Sequence, residues 1–340
     1  MPARRPSRHA HFVPDGRSGQ TGLMETPPVP IIDVSRPLAN QLDALDAACR
    51  NHGFFLISGH GLNDVIKRTW MAARAFFEAD RAVRLSVERN RDNPLGWYDR
   101  ELTKRQRDAK EVFDFTDPSF PIADARNRWP KVDGFRSTMA EFYDAFSDLS
   151  ITAVEIVHHA LGLNPADGLR FCGARTNSSV RLNHYPVGDP VPDGERFALR
   201  ELGETALGYH TDPGVVTLLL QDDTGGLQAQ AREGAWIDVE PIPGTVVVNL
   251  ADSVQVWTND RYRAAVHRVA PMTRCSRMSI PYFLHPARDA LVEPITELVE
   301  GVPRYRAFEW RSFMRARTDD NFADLGDADT QISDYLVDVS

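Results

Sequence analysis

"GYHTDPGVVTLLLQ", residues 208–221, carries the β-branched and leucine-rich run of a strand, yet it gives His210 and Asp212 positions where apolar side chains would be expected. On a strand, residues i and i+2 emerge on the same face, so the reading places an imidazole beside a carboxylate. Burying both is costly unless something satisfies them. A shared ion would do so, and His267 in "AAVHRVAP" (264–271), another strand-like run, offers a third donor.

The pattern recurs in two further runs. "SSVRLNHYPV" (178–187) puts Asn183 and Tyr185 two apart, and "RMSIPYFLH" (277–285) does the same with Arg277 and Ser279. With "GLQAQA" (226–231) and "GTVVVNL" (244–250), these short runs separated by Gly, Pro or Asp predict a β-sandwich or barrel after about residue 164. "DDTGGLQ" (222–228) reads as a hairpin turn, with Gly225 and Gly226 supplying positive φ. Upstream, apolar spacing of three and four predicts helices over about 41–51, 62–85 and 136–161, as in Phe142, Phe146 and Leu149. Between the first two, "GFFLISGHG" (53–61) reads as a buried strand, and "KRQRDAKE" (104–111) reads as a solvated helix face. The chain divides into a disordered tail (1–29), a helical leader (30–163), a β core (164–300) and a C-terminal helical tail (301–340).

Composition narrows the function. The chain has 340 residues, 42% hydrophobic and 26% charged, and a net charge of -9 with its cations scattered, so no electrostatic footprint for nucleic acid is present. No apolar run approaches the ~18 residues of a membrane span. Cys49, Cys172 and Cys275 have no paired spacing, which argues against a disulfide framework and for a reducing, cytoplasmic setting. A small molecule is the expected partner, with no obligate protein partner evident. Two imidazoles and one carboxylate on one side of a metal, with the opposite positions open, suit a non-haem Fe(II) oxygenase.

In order, "PIIDV" (30–34), "GFFLISGHG", "GWYDR" (96–100), "KEVFDF" (110–115), "RLNHYP" (181–186), "YHTD" (209–212), "TLLLQD" (217–222), "GGLQ" (225–228), "HRV" (267–269) and "RMS" (277–279) resemble the isopenicillin N synthase-like family of Fe(II) and 2-oxoglutarate-dependent oxygenases. The resemblance spans nearly the whole chain from Pro30. It implies a double-stranded β-helix, a cupin-like jelly-roll with flanking helices and the metal in its mouth. It also implies that His210, Asp212 and His267 bind iron, that Arg277 and Ser279 hold the distal carboxylate of 2-oxoglutarate, and that Asn183 and Tyr185 lie in the cosubstrate pocket. The implied activity consumes O2 and 2-oxoglutarate, releases succinate and CO2, and hydroxylates an aliphatic C–H bond of a metabolite. The alternatives are a related oxidase that does not use 2-oxoglutarate and a non-catalytic metabolite-binding relative.

The chain departs from the family at Ala251-Asp252, at Ala264, and in a long charged segment after Pro186. Candidate substrate contacts are Trp97, Tyr98 and Arg100, then Arg196 and Arg200, Phe283 and Arg288, and the tail beyond Pro303. Several arginines near the mouth suggest an anionic substrate, and Arg181 serves either such an anion or a structural ion pair. His184 is expected to face away from Asn183 and Tyr185, and Asp252 to be structural. His52, His60, His158, His159 and His285 are assigned no site role.

Overall fold

Alternation within strands decides what each face of the protein meets. The computed structural model describes residues 28–103, 106–197, 199–318 and 330–337; the predicted tail 1–29 lies outside them except for Pro28 and Val29. The principal elements are β1 (Ile31–Asp33), α1 (Leu42–Asn51), β2 (Phe54–Ser58), α2 (Asn63–Glu78), β3 (Gly96–Tyr98), β4 (Glu111–Thr116), α3 (Phe135–Ala160), β5 (Ser179–Tyr185), β6 (Leu207–His210), β7 (Val216–Gln221), β8 (Leu227–Gln230), β9 (Trp236–Asp238), β10 (Val246–Leu250), α4 (Asp252–Trp257), β11 (His267–Val269), β12 (Arg277–Leu284) and α5 (Trp310–Thr318).

These strands form an eight-stranded sheet in the order β1-β2-β10-β7-β12-β5-β4-β3 and a four-stranded sheet in the order β9-β8-β11-β6. In β10, Val246, Val248 and Leu250 join the apolar cluster under α1, α2 and α3, while Val247 joins Phe54 and Leu56 against Leu227 and Ala229 of the smaller sheet. The larger sheet is thus clad by helices on one face and by the smaller sheet on the other, the arrangement of a jelly-roll with flanking helices. Each fully buried Val, Leu or Phe contributes roughly 1.5–3 kcal/mol. The same period orders the site. In β12, Met278, Ile280, Tyr282 and Leu284 point into the helix-covered core, and Arg277, Ser279, Pro281 and Phe283 point into a cavity between the sheets. In β5, Val180 and Leu182 face the core, and Arg181, Asn183 and Tyr185 face the cavity.

The structure corrects several local readings. The stretch 208–221 is two strands rather than one: β6 ends at His210 in the smaller sheet, and β7 begins at Val216 in the larger. Pro213 has no N–H to continue a ladder. A Cβ on the next residue, Gly214, would lie 2.5 Å from the Leu284 carbonyl oxygen, so the chain turns there in close contact with β12. Likewise Gly225 and Gly226 have φ of 80° and 87°, but they turn the chain from one sheet to the other and do not close a hairpin. The leader is not wholly helical, because β1, β2, β3 and β4 all enter the larger sheet. Of the run 104–111, the described residues form no helix: Gln106, Arg107 and Glu111 lie in strands, and Arg107, Asp108, Lys110 and Glu111 are buried rather than solvated. All three cysteines are free, and among the described residues no helix is long and apolar enough to cross a membrane.

Candidate metal centre and cosubstrate pocket

Strand pairing brings the two imidazoles together. His267 lies opposite His210 in the antiparallel register of β11 and β6, and their ring centroids are 4.3 Å apart. The Nδ1 of His210 bonds to the Gly208 carbonyl at 2.8 Å, and that of His267 to the Ala265 carbonyl at 2.8 Å. A carbonyl can only accept, so both Nδ1 atoms carry the proton and both Nε2 lone pairs are left to bind an ion. Burial, reinforced by the neighbouring His267, pushes His210 down to about 3, so it is neutral and ligand-competent at ordinary pH.

Asp212 reaches the same point from the crossover turn. Its Oδ2 accepts from Thr217 Oγ1 at 2.6 Å and from Asn249 Nδ2 at 2.9 Å, while Oδ1 lies 3.7 Å from His210 Nε2. Burial favours the protonated acid, but His267 and His210, with the bonds from Thr217 and Asn249, hold the carboxyl below its usual range. One donor atom from each of His210, Asp212 and His267 lies within 4.8 Å of the others. Two imidazole nitrogens and one carboxylate oxygen fit Fe(II) with positions to spare. His210 and Asp212 converge across a sheet-to-sheet turn, not as i and i+2 on one strand.

Arg277 lies in the same cavity, of about 260 Å³, and is wholly buried. Its Nε donates to the Gly225 carbonyl at 2.8 Å and its guanidinium stacks 5.1 Å from the Tyr185 ring, yet among the described residues Nη1 and Nη2 have no hydrogen-bond partner. A buried cation with idle donors is costly, and one carboxylate would meet both nitrogens side by side. Ser279, beside it, accepts from Asn183 Nδ2 at 3.4 Å. These groups fit the distal carboxylate of 2-oxoglutarate.

The metal-site turn is braced from outside. Arg317 of α5 donates through Nη2 to the Thr211 carbonyl at 2.7 Å and through Nη1 to Gln331 Oε1 at 2.7 Å. Trp310 Nε1 reaches the Pro213 carbonyl at 3.3 Å, and the Asp252 N–H holds the Asp212 carbonyl at 2.8 Å. Arg317→Met is therefore expected to weaken Fe(II) binding by about tenfold, the lower end of what outer support of a metal ligand is worth. Fe(II) titration of the variant against wild type measures it; equal affinities would show that the turn holds its shape without Arg317.

The substrate-contact expectations fare unevenly. Phe283 lines the cavity, and from the tail so do Met314, Arg317 and Gln331. Trp97, Tyr98, Arg100, Arg196, Arg200 and Arg288 do not. Trp97 is fully buried and donates to Glu111 Oε2 at 2.7 Å. Arg100 and Arg81 grip Glu195 at 2.8 and 2.7 Å, Arg107 grips Asp189 at 2.5 Å, and Arg196 closes on Asp189 and Asp193 at 3.1 and 2.5 Å. Those arginines tie down the long charged segment instead of facing a ligand. His184 turns away as expected, onto Glu111 at 2.8 Å and the Phe77 ring. Asp252 is buried at the start of α4. His285, assigned no role, lines the cavity, and burial pushes it down to about 4. Reading the sequence also missed Thr217 and Asn249. The polar end of "VVVN" was the available signal for the latter.

Comparison with known proteins agrees with this geometry. The profile of the 2OG-Fe(II) oxygenase superfamily matches residues 176–286, and that of the non-haem dioxygenase in morphine synthesis N-terminal region matches 29–132. Protein DMR6-LIKE OXYGENASE 2 of Arabidopsis thaliana is 31% identical over 318 residues, covering 89% of this chain and 86% of its own. The chain belongs to the 2OG-Fe(II) oxygenase superfamily. Within it, the chain is of the isopenicillin N synthase-like family, and the protein is an enzyme, an Fe(II)- and 2-oxoglutarate-dependent oxygenase. Among solved structures, a full-length Neurospora crassa protein in complex with alpha-KG and thymine aligns with TM-score 0.71 and 26% identity, covering 86% of this oxygenase and 96% of the fungal chain. JOX2 in complex with 2OG, Fe and JA aligns with TM-score 0.73 and 25% identity, covering 84% of this oxygenase and 83% of JOX2.

Proposed function

We propose that the enzyme hydroxylates an aliphatic C–H bond of a small-molecule metabolite. In balance, the C–H compound, 2-oxoglutarate and O2 become the alcohol, succinate and CO2. The observation that carries the reading is Arg277, a buried guanidinium with two unpartnered nitrogens in the cavity that holds the His210, Asp212 and His267 donors. Iron held by those three residues supplies the activation of O2. The protein's own part is to bind and orient. Arg277 and Ser279 receive the cosubstrate's distal carboxylate, with Asn183 and Tyr185 beside them. Leu207, Leu219, Leu227 and Val269 give the same cavity an apolar lining that helps to exclude water. The wall formed by Phe283, Met314 and the leader residues is left for the substrate, which selects the C–H bond presented to the metal.

The test is a substrate screen with the Fe(II)-loaded enzyme, following O2 uptake and succinate together. The expected result is succinate formed in step with a product heavier by one oxygen. A product formed without succinate would move the enzyme to the oxidases that do not use 2-oxoglutarate, and a product lighter by two hydrogens would replace hydroxylation with desaturation or ring closure.

A further inference from the structure

The charges of the cavity wall are settled within the protein. Apart from the metal and cosubstrate groups, the charged side chains on its lining are Glu101, Lys110, Arg181 and Arg317. Arg181 and Lys110, with Arg89 behind them, are matched one for one by Glu101, Asp114 and Asp108, and Arg317 lies 3.7 Å from Asp252. An ionised group pressed into this wall would be buried without a counter-charge, at high cost. The balance works against an anion and a cation alike.

Hydrogen bonding, by contrast, is left open at His285. The cavity-facing residues of β12 are Arg277, Ser279, Pro281 and Phe283, and His285 continues that period just past the strand's end. Phe283 stands opposite Thr217, the residue that holds Asp212, which puts the cosubstrate's anchor and His285 on opposite sides of the Asp212 carboxylate. The imidazole is 5% exposed and fixed in place: the Gly173 N–H donates to the His285 carbonyl at 2.9 Å, and the ring packs on Trp310 with centroids 5.0 Å apart. Burial pushes it down to about 4, against the pull of the Asp212 charge, so it is neutral. Nδ1 is enclosed with no partner among the described residues, against the Gly214 backbone, where an added Cβ would come within 2.7 Å of it. An N–H there would have no acceptor, so the proton belongs on Nε2. His285 is then a neutral donor that shares the lining with the apolar Pro213, Phe283 and Met314.

We infer that the prime substrate is an uncharged molecule with a carbonyl or hydroxyl oxygen and that His285 donates to that oxygen, an inference resting on the reading of the cavity as an iron and 2-oxoglutarate site. His285 is then a specificity residue. It holds the polar end of the substrate while an apolar stretch lies toward the triad, and it does so by a hydrogen bond rather than by charge.

The experiment uses the anaerobic Fe(II)–2-oxoglutarate enzyme and its metal-to-ligand absorption band, which shifts when a substrate displaces water at the metal. The probes are uncharged ketones, lactams, amides and alcohols, each beside a hydrocarbon of the same shape and a carboxylic acid on the same skeleton; acetophenone, α-methylstyrene and benzoate make one such set. The expected result is that at least one oxygen-bearing neutral compound shifts the band at a concentration about tenfold below that of its hydrocarbon counterpart, as loss of a hydrogen bond to a buried donor implies, and below that of its acid. In His285→Phe, which keeps a ring against Trp310, the preference over the hydrocarbon disappears while the 2-oxoglutarate titration stays unchanged. His285→Gln, whose side-chain amide can donate in place of Nε2, should recover part of the preference. Hydrocarbons as effective as their oxygen counterparts, acids preferred, no neutral compound in the panel active, a preference that survives His285→Phe, or no recovery in His285→Gln would each overturn the subsite. So would a 2-oxoglutarate titration weakened in step in His285→Phe, which would make the imidazole a structural prop. Absence of any band in wild type is a different failure: it removes the 2-oxoglutarate reading, and the subsite falls with it.

Discussion

His267→Ala is expected to abolish turnover and to lower Fe(II) affinity by at least about a hundredfold, while shifting unfolding free energy by no more than about 1 kcal/mol. The asymmetry comes from what the imidazole touches. Its Nδ1 is tied to the Ala265 carbonyl, its ring packs edge-on to Phe54 at 5.9 Å, and it borders a cavity, so truncation enlarges an existing space without opening a void in close-packed core. His210→Ala should behave in the same way. Asp212→Ala should not, because Thr217 Oγ1 and Asn249 Nδ2 would lose their acceptor. An orphaned buried polar group costs about 1–3 kcal/mol, so this variant should lose both iron and thermal stability. Asp212→Asn, which restores an oxygen for the Thr217 hydroxyl, should recover part of the stability and little of the metal. Iron content by elemental analysis and thermal melts on the four variants check the prediction. A His267 variant with normal iron content and turnover would refute the triad.

That ranking also explains which parts of the site were legible in the sequence. Period-two placement worked where a strand has one face on an apolar core and the other on a cavity. In β5 and β12 the polar residues stand out against Val180, Leu182, Ile280 and Tyr282, and Asn183, Tyr185, Arg277 and Ser279 follow from the pattern. It failed at Asp212, where the break signalled by Pro213-Gly214 was read through as one strand; that the chain there leaves one sheet for the other is a tertiary fact, set by the contact of Gly214 with β12. It failed again at Lys110. A run with Arg107, Asp108, Lys110 and Glu111 reads as solvated because charges are seldom buried, and here they are buried because partners outside the run neutralise them, Asp189 for Arg107, Glu101 for Lys110 and Arg84 for Glu111. For the same reason the arginines that looked poised for a ligand, Arg100 and Arg196, proved to be spent on Glu195 and Asp189. Charge seen in a sequence shows only that a partner is needed. Which partner, protein or ligand, is a tertiary fact.

Arg277 is the case in which the protein supplies no full set of partners, and its substitution carries the second large effect. Arg277→Gln is expected to weaken 2-oxoglutarate binding about 10- to 150-fold, the equivalent of roughly 1.5–3 kcal/mol for hydrogen bonds between charged groups. Fe(II) affinity should persist, since none of the three metal-site donors bonds to Arg277. The apo protein should lose no stability, because the substitution removes a fully buried cation whose Nη1 and Nη2 have no acceptor, and such a charge costs more than a neutral amide of similar reach. The two effects have opposite consequences in one measurement. Wild type should gain thermal stability on adding 2-oxoglutarate with Fe(II), by the logarithm of ligand over dissociation constant, and the variant should start at an equal or higher melting temperature and gain much less. Anaerobic titration of the metal-to-ligand band gives the affinities directly. If the variant melts well below wild type without ligand yet binds 2-oxoglutarate as tightly, Arg277 is a structural residue held by Gly225 and Tyr185, and the cosubstrate carboxylate must meet another cation of the cavity, Arg181 first.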